Sequence, residues 1–363
     1  MDESISDPGE ATREWLETVL KINGLLRNGR VASVKVKSAR PVAFSMVSRL
    51  EIFYSGDENG ESGSEAHVAA PRSLFLKTSK PDSKKESFAG AGKREVAFYR
   101  SVASQMQNPP AVRCYDAAYS PETGQSHLLL DDLSATHFQT VFPLPPPKIH
   151  CELAVQSLAK FHASWWENPR LGGELGELFN DQSFQSYVEE IKKALDEFIE
   201  FLGDRISSRR RGIFERLQAS SFTPWKRLTS AEGLTLVHGD AHWWNFFYPR
   251  DPERARAVIF DWGTWNADLG ARDLAHMIAL HWYPERRAAM ERELLKIYHD
   301  TLLSSGVKNY GWDGLWTDYR CAAIRNLVIP VLQRQRGMTP AVWWSNLERA
   351  MLAFDDLGCA ELI

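Results

Sequence analysis

The chain has 363 residues, 44% of them hydrophobic and 25% charged, with a formal net charge of -4. That is the balance of a folded protein of about two domains, and it excludes a mainly disordered chain. The charge gives no electrostatic reason to expect nucleic-acid binding, and no run of about 18 apolar residues offers a membrane span. The acidic start MDESISDPGEATREW lacks the basic and apolar regions of a secretory signal. Cys114, Cys151, Cys321 and Cys359 form no C-x-x-C pair, so a zinc knuckle or redox dithiol is not expected. They read as buried, reduced thiols of a cytoplasmic protein.

In chain order, residues 13–28 have the apolar spacing of a short helix through Trp15, Leu16, Val19, Leu20 and Ile22. Val31–Val36 and Phe44–Tyr54 alternate with period two and predict strands. Gly56–Glu65 is acidic and aperiodic, a hairpin loop. Ser73–Thr78 predicts a third strand, and Ser79–Gly92 a polar loop. A helix starts at Lys93, with Val96, Tyr99, Val102 and Ala103 at helical spacing. Val112–Tyr119 and His127–Leu130 predict two strands across a turn at Pro121–Gly124. Beyond Asp132 the pattern becomes helical: 148–166, 183–219, 285–304, 315–335 and 340–356. A hairpin interrupts it, with Leu234–His238 before it and Asn245–Tyr248 and Ala257–Phe260 around a polar turn. The expectation is an α+β, bilobal chain: a strand-rich N-lobe over 1–132 and a mainly helical C-lobe over 133–363. The basic run Arg209–Arg211 reads as a solvated helix face.

The informative segment is Leu236-Val-His-Gly-Asp-Ala-His-Trp-Trp-Asn-Phe-Phe-Tyr, followed by Val258-Ile-Phe-Asp-Trp-Gly. Its order is His-x-Asp-x4-Asn, a hairpin, then Asp-x-Gly. Phosphoryl transfer uses these residue types together. Asp240 would orient and deprotonate an attacking hydroxyl. The Asn245 amide oxygen and the Asp261 carboxylate would ligate Mg²⁺, a hard cation that prefers oxygen. His238 would support the loop, its ring bonded to nearby backbone. Singly, each residue also suits an ordinary turn; the ordered set in a strand-loop-strand context points to a kinase-type site.

The sequence resembles the aminoglycoside phosphotransferase and choline kinase superfamily of protein-kinase-like small-molecule kinases, and most closely its ecdysteroid-kinase-like branch. Besides the catalytic segment, the resemblance rests on Lys93-Arg-Glu-Val-Ala-Phe-Tyr-Arg, Leu128-Leu-Leu-Asp-Asp-Leu, Leu158-Ala-Lys-Phe-His-Ala-Ser-Trp-Trp and Gly270-Ala-Arg-Asp-Leu-Ala. It spans about residues 30–335 in matching order. It implies a protein-kinase-like fold, ATP or GTP as donor, and Mg²⁺. It assigns Lys77 to the α- and β-phosphates, with Lys80 as rival, and Glu95 to the helix carboxylate that pairs with the lysine, with Glu86 as rival. The stretch Leu129, Leu130, Asp131 and Leu133 matches the hinge whose backbone meets the adenine edge, with apolar side chains against the ring, while Asp131 and Asp132 read as structural or solvent-facing. Asp273 matches an acid that braces the catalytic loop, and a helix-capping role is its alternative.

Two departures matter. The phosphate-covering loop falls near Ser38–Ser45 and has no glycine; Pro41 removes an N–H, and Ala43 and Ser45 are small enough to substitute. Gly239 stands where protein kinases carry an arginine, and no long activation segment follows Asp261. A small hydroxylated acceptor is therefore expected rather than a protein. His242, Trp243, Trp244 and Trp265 are the candidate acceptor wall, suited to an apolar or ring-shaped body, although Trp pairs also fill cores. Such a wall is unlike the acidic pocket that polycationic aminoglycosides require, which leaves antibiotic inactivation secondary. A pseudokinase or nucleotide-sensing module is the alternative. A monomer or homodimer is expected, without nucleic-acid or membrane partners.

Overall fold

The computed structural model of the protein describes residues 4–27, 29–42, 45–55, 70–79, 86–230 and 232–363. Helix α1 (Arg13–Ile22) is followed by strands β1 (Val31–Pro41), β2 (Ser45–Tyr54) and β3 (Ser73–Ser79). Next come α2 (Glu86–Ala97), which continues as a π-helical turn over Phe98–Val102, then β4 (Cys114–Tyr119), β5 (Ser126–Asp131) and β6 (His137–Phe138). Helices α3 (Lys148–Trp165), α4 (Asp181–Leu202) and α5 (Ser208–Ala219) precede the strands β7 (Leu234–Val237), β8 (Phe246–Pro249), β9 (Val258–Ile259) and β10 (Asn266–Leu269). The chain closes with α6 (Ala271–Leu274), which widens into a π-helical turn over Ala275–Leu280, and with α7 (Pro284–Ser304), α8 (Trp312–Arg325), α9 (Ile329–Gln335) and α10 (Pro340–Asp356). Among the described residues, no helix is long and apolar enough to cross a membrane.

The chain divides into two compact units. The first holds Met1–Phe138, Pro249–Asp251 and Val258–Thr264; the second holds Gln139–Tyr248, Pro252–Ala257 and Trp265–Ile363. The sequence division at 132 lacks the later segments of the first unit. Their place has a local cause. The Ile259 amide donates to the Pro110 carbonyl at 2.7 Å, and Trp262 stacks on Phe98 of the α2 extension with centroids 3.9 Å apart.

In the first unit, an antiparallel sheet runs in the order β1-β2-β3-β5-β4. Strand alternation separates its faces. Leu50, Ile52, Leu74, Leu76 and Leu129 join Leu16, Val19 and Leu20 of α1 in one apolar cluster. Lys77 lies between Leu76 and Thr78, opposite Val47 and Leu128, and so belongs to the other face. In the second unit, β7 pairs antiparallel with β10, Val237 facing Asn266. Buried Asp268 on β10 binds Arg325 through both guanidinium nitrogens, at 2.9 and 3.1 Å, and Arg272 at 2.9 Å.

Several predicted boundaries move. Helix α1 stops at Ile22 rather than 28, because the Asn23 amide caps the Val19 carbonyl and Gly24 turns left-handed at φ 70°. The predicted loop 79–92 is already helical from Glu86. The helix over 183–219 breaks at Gly203, with φ 54°. The stretch 315–335 divides because Pro330, in the first turn of α9, has no N–H with which to continue α8. Phe44, the Gly56–Glu65 loop and Lys80 lie outside the described residues.

Candidate active site

In the first unit, three charged side chains meet. Lys77 Nζ donates to both Glu95 oxygens, at 2.9 and 2.7 Å, and to Asp261 Oδ1 at 2.8 Å. The Lys77 and Glu95 side chains are 16% and 8% exposed, whereas Asp261 is 53% exposed. Burial works to deprotonate Lys77, but the charges of Glu95 and Asp261 outweigh it and hold the ammonium well above its ordinary range. Burial pushes the Glu95 carboxyl up, against the pull of Lys77 and with the repulsion of Asp261. The segment carrying Asp261 is fastened to α2: Arg94 Nε donates to the Gly263 carbonyl at 2.8 Å, and the Trp262 backbone amide bonds Glu95. Asp261 is left-handed at φ 66°, a sparsely populated conformation for a residue with a side chain.

Lys77 and Glu95 are therefore brought together; Glu86 is the first residue of α2. The hinge candidates divide by strand parity. Leu130 pairs with Phe75 and shares the Lys77 face, whereas the Leu129 side chain is fully buried in the α1 cluster. An adenine contact from the Leu129 side chain is thus corrected. The Leu133 carbonyl accepts from the Thr136 and His137 amides and closes a turn. Asp131 accepts from Tyr115 Oη, and Asp132 binds Arg49 and Ser73, so both aspartates are structural. Ser45 lies at the start of β2, opposite Ser79, while Ala43 is outside the described residues.

In the second unit, the loop from His238 to Asn245 follows β7. Asp273, fully buried at the start of α6, accepts from the His238 amide at 2.6 Å and the Gly239 amide at 2.9 Å. His162 of α3 bonds Asp273 through Nε2 at 3.3 Å and the Tyr298 hydroxyl through Nδ1 at 2.7 Å. Burial pulls the Asp273 carboxyl up, but the His162 hydrogen bond and the surrounding donors leave it below its ordinary value. Asp273 thus braces the loop rather than capping its own helix. Gly239 supplies the left-handed turn at φ 82°.

The loop's next turn presents Asp240. The Asp240 amide donates to His238 Nδ1 at 3.3 Å, so the His238 ring is a backbone prop. Asn245 Nδ2 donates to the Asp240 carbonyl at 2.9 Å, which fixes the amide with its oxygen on the other side. The Asp240 side chain is 43% exposed. Its Oδ1 accepts from His276 Nε2 at 3.1 Å, and its Oδ2 lies 3.7 Å from His242 Nε2. Burial works to raise this carboxyl, yet the histidines and the hydrogen bond outweigh it and hold it well below the carboxylate range. Asp240 is therefore ionised near neutrality. Burial and neighbouring imidazoles push His242 down and His281 further down, so both are neutral.

The acceptor-wall candidates separate. Trp243 is fully buried and stacked on Trp282, with centroids 4.6 Å apart. It is core, and its placement in the wall is corrected: the 3₁₀ turn over Trp243–Asn245 points successive side chains apart. Trp244 stays beside the loop, touching His242, His281 and Phe142, with its indole N–H on the Leu144 carbonyl. Trp265 is nearly buried just before β10. No role follows from the sequence for His276 or His281, and none for His162 although it lies within the Leu158–Trp166 motif. His276 had one faint signal, its position three residues after Asp273 and so on the same helix face.

Among the described residues, no three His, Cys, Asp or Glu side chains form a metal-holding cluster. Mg²⁺ does not require one, because it commonly takes one or two protein oxygens together with phosphates and water. The Asn245 amide oxygen and the half-exposed Asp261 carboxylate have the donor chemistry that Mg²⁺ prefers.

Residues 43–308 match the ecdysteroid kinase-like family. The chain belongs to that family. No curated protein sequence matches it. Among solved structures it resembles a putative aminoglycoside phosphotransferase from Ralstonia eutropha, with 14% identity, 95% of this chain and 98% of that chain covered, and a TM-score of 0.56. It also resembles a choline kinase from Streptococcus pneumoniae, with 13% identity, 94% and 99% covered, and a TM-score of 0.50. A choline kinase from Cryptosporidium parvum gives 9% identity, 89% and 88% covered, and a TM-score of 0.50. These likenesses establish the protein-kinase-like fold of this ecdysteroid kinase-like chain.

Proposed function

We propose that the chain is a phosphotransferase that moves the terminal phosphoryl group of Mg·ATP, or of GTP, to a hydroxyl of a small molecule. The observation that carries this reading is the Asp240 loop: an ionised, solvent-reachable carboxylate on a backbone pinned by buried Asp273. Asp240 accepts the hydroxyl proton and aims the oxygen at phosphorus. Its low basicity is no obstacle. The transition state is loose, so bond formation is slight when the proton leaves, and orientation counts for more than base strength. Lys77, held by Glu95, binds phosphate oxygens as a pre-positioned counter-charge. Asn245 and Asp261 would hold Mg²⁺, which would supply neutralisation of phosphate charge. The named relatives act on choline or carry the aminoglycoside phosphotransferase name, which supports a small acceptor. His242, 25% exposed and packed on nearly buried Trp244, offers it an aromatic edge.

The test is transfer of label from Mg·ATP to a panel of alcohols. Asp240→Asn is expected to lower kcat by about 10²- to 10⁴-fold, the range of a lost general base. Wild-type turnover in that variant would sink the assignment. The glycine-free segment Ser38–Ser45 favours one second reading, a nucleotide-sensing pseudokinase. Stabilisation by Mg·ATP with no turnover on any alcohol would select it.

A further inference from the structure

Resting on the phosphotransferase reading, we propose that His276 is a positioning residue for Asp240: its ring N–H holds Oδ1 and leaves Oδ2 as the oxygen offered to the acceptor hydroxyl. A free carboxylate rotates about its Cβ–Cγ bond and presents either oxygen. Here Oδ1 is tied to His276 Nε2 at 3.1 Å, whereas Oδ2, with His242 Nε2 3.7 Å away, is outside hydrogen-bond reach of that ring. An ionised carboxylate only accepts, so the imidazole donates and carries its proton on Nε2.

The element carrying His276 is built for the contact. Asp273 and His276 are three residues apart and face the same loop, one bonding its backbone at His238 and Gly239, the other its side chain at Asp240. The helix widens into a π turn at Ala275–Leu280. Such turns disturb the backbone ladder and recur at functional sites. The Ala275 carbonyl takes a hydrogen bond from the buried Asn326 amide at 2.9 Å. The His276 ring is backed by His281, with centroids 5.1 Å apart, and by His242 at 6.5 Å. Helix and ring together fix the carboxylate in one rotamer, which pre-organises the attack geometry before the acceptor arrives.

Two His276 variants are compared under saturating Mg·ATP, with Asp240→Asn in the same assay. His276→Phe keeps the ring volume and loses the donor. It is expected to lower kcat by about 10- to 100-fold, as a misaimed catalytic group does, with acceptor KM and unfolding temperature little changed. His276→Gln places an amide N–H near the Nε2 position and is expected to recover most of the loss. Unchanged kcat in His276→Phe, a loss confined to KM, or a Gln variant as damaged as Phe would overturn the proposal. If Asp240→Asn keeps full turnover, the phosphotransferase reading itself falls. If Asp240→Asn loses turnover while His276→Phe keeps the wild-type kcat, only the positioning role falls. A readout free of turnover is the ¹⁵N spectrum of the histidine rings. His276 is expected as the Nε2–H tautomer, with a signal that shifts in Asp240→Asn; an Nδ1–H tautomer or an unmoved signal would overturn the proposal whether or not an acceptor is known.

Discussion

Lys77 is a nearly buried ammonium held between two carboxylates, and the inequality of its partners sets what its loss does. Glu95 is nearly buried and Asp261 is half in water. Lys77→Ala would leave the Glu95 carboxylate desolvated beside a like charge. Breaking a buried pair from one side typically costs about 3–5 kcal/mol. Denaturant unfolding of Lys77→Ala is expected to show a loss of that order, with the double variant Lys77→Ala/Glu95→Gln recovering part of it. An unchanged unfolding midpoint would show that the pair is not buried in solution. At this scale, legibility depended on partners. Lys77, Glu95, Asp240 and Asp273 were readable because each carries a fixed offset within a motif. His276 was not, since an isolated helical histidine has no meaning until Asp240 is seen against it. For Leu129 only the side chain departs from the expectation, since the period-two alternation that puts Lys77 on one face puts the Leu129 side chain on the other.

The short helix α6 carries more of the site than its length suggests. Its Asp273 carboxyl lies below the ordinary 3.8 in the folded chain. The folded state thus holds that proton less readily than the unfolded chain. Its contribution is complete above pH about 4 and is lost as pH falls through the folded value. Asp273→Asn is expected to be less stable than wild type at pH 7 by about 1.5–3 kcal/mol, the scale of a charge-assisted hydrogen bond. The gap between the two should narrow below pH about 4, measured by urea unfolding along a pH series; a constant gap would refute the linkage. Gly270 sits just before this helix because a Cβ there would lie 2.3 Å from the Tyr298 hydroxyl and 2.9 Å from His162 Nδ1, inside the hydrogen bond that orients His162. Gly270→Ala is expected to cost about 1–3 kcal/mol, the usual penalty of overpacking, read as a lower unfolding temperature. Elements were legible by period and their breaks less so. Gly203 and Pro330 end helices inside stretches whose apolar spacing runs on. Strand β10 was missed because Asn266–Leu269 is short and pairs with β7 across a distance that local pattern does not register.

For the whole chain, the fold was legible because it is written twice, once as a change from period two to helical spacing near residue 132 and once as an ordered set of motif residues. The division into units was less so, since Val258–Thr264 joins the first unit through contacts to Pro110 and Phe98 that only tertiary structure reveals. Nucleotide binding is the property that tests the chain as a unit. A ligand that binds the folded state alone stabilises it by about 2.7 kcal/mol at one hundred times its Kd. In a chain of this size that is a rise of several degrees in unfolding temperature. Mg·ATP is expected to give this rise despite the glycine-free Ser38–Ser45 segment, because the phosphate contact proposed for Lys77, an ammonium fixed by Glu95, does not depend on the sequence of that segment. ATP with EDTA should stabilise less than Mg·ATP. Asp261→Asn should bring the two curves together, since it removes the carboxylate assigned to the cation while leaving Lys77 its partner Glu95. If Mg²⁺ adds as much stability to Asp261→Asn as to wild type, Asp261 is not a ligand of the cation. Absence of any rise with either ATP or GTP would mean that the segment lacking glycine has cost this chain its nucleotide.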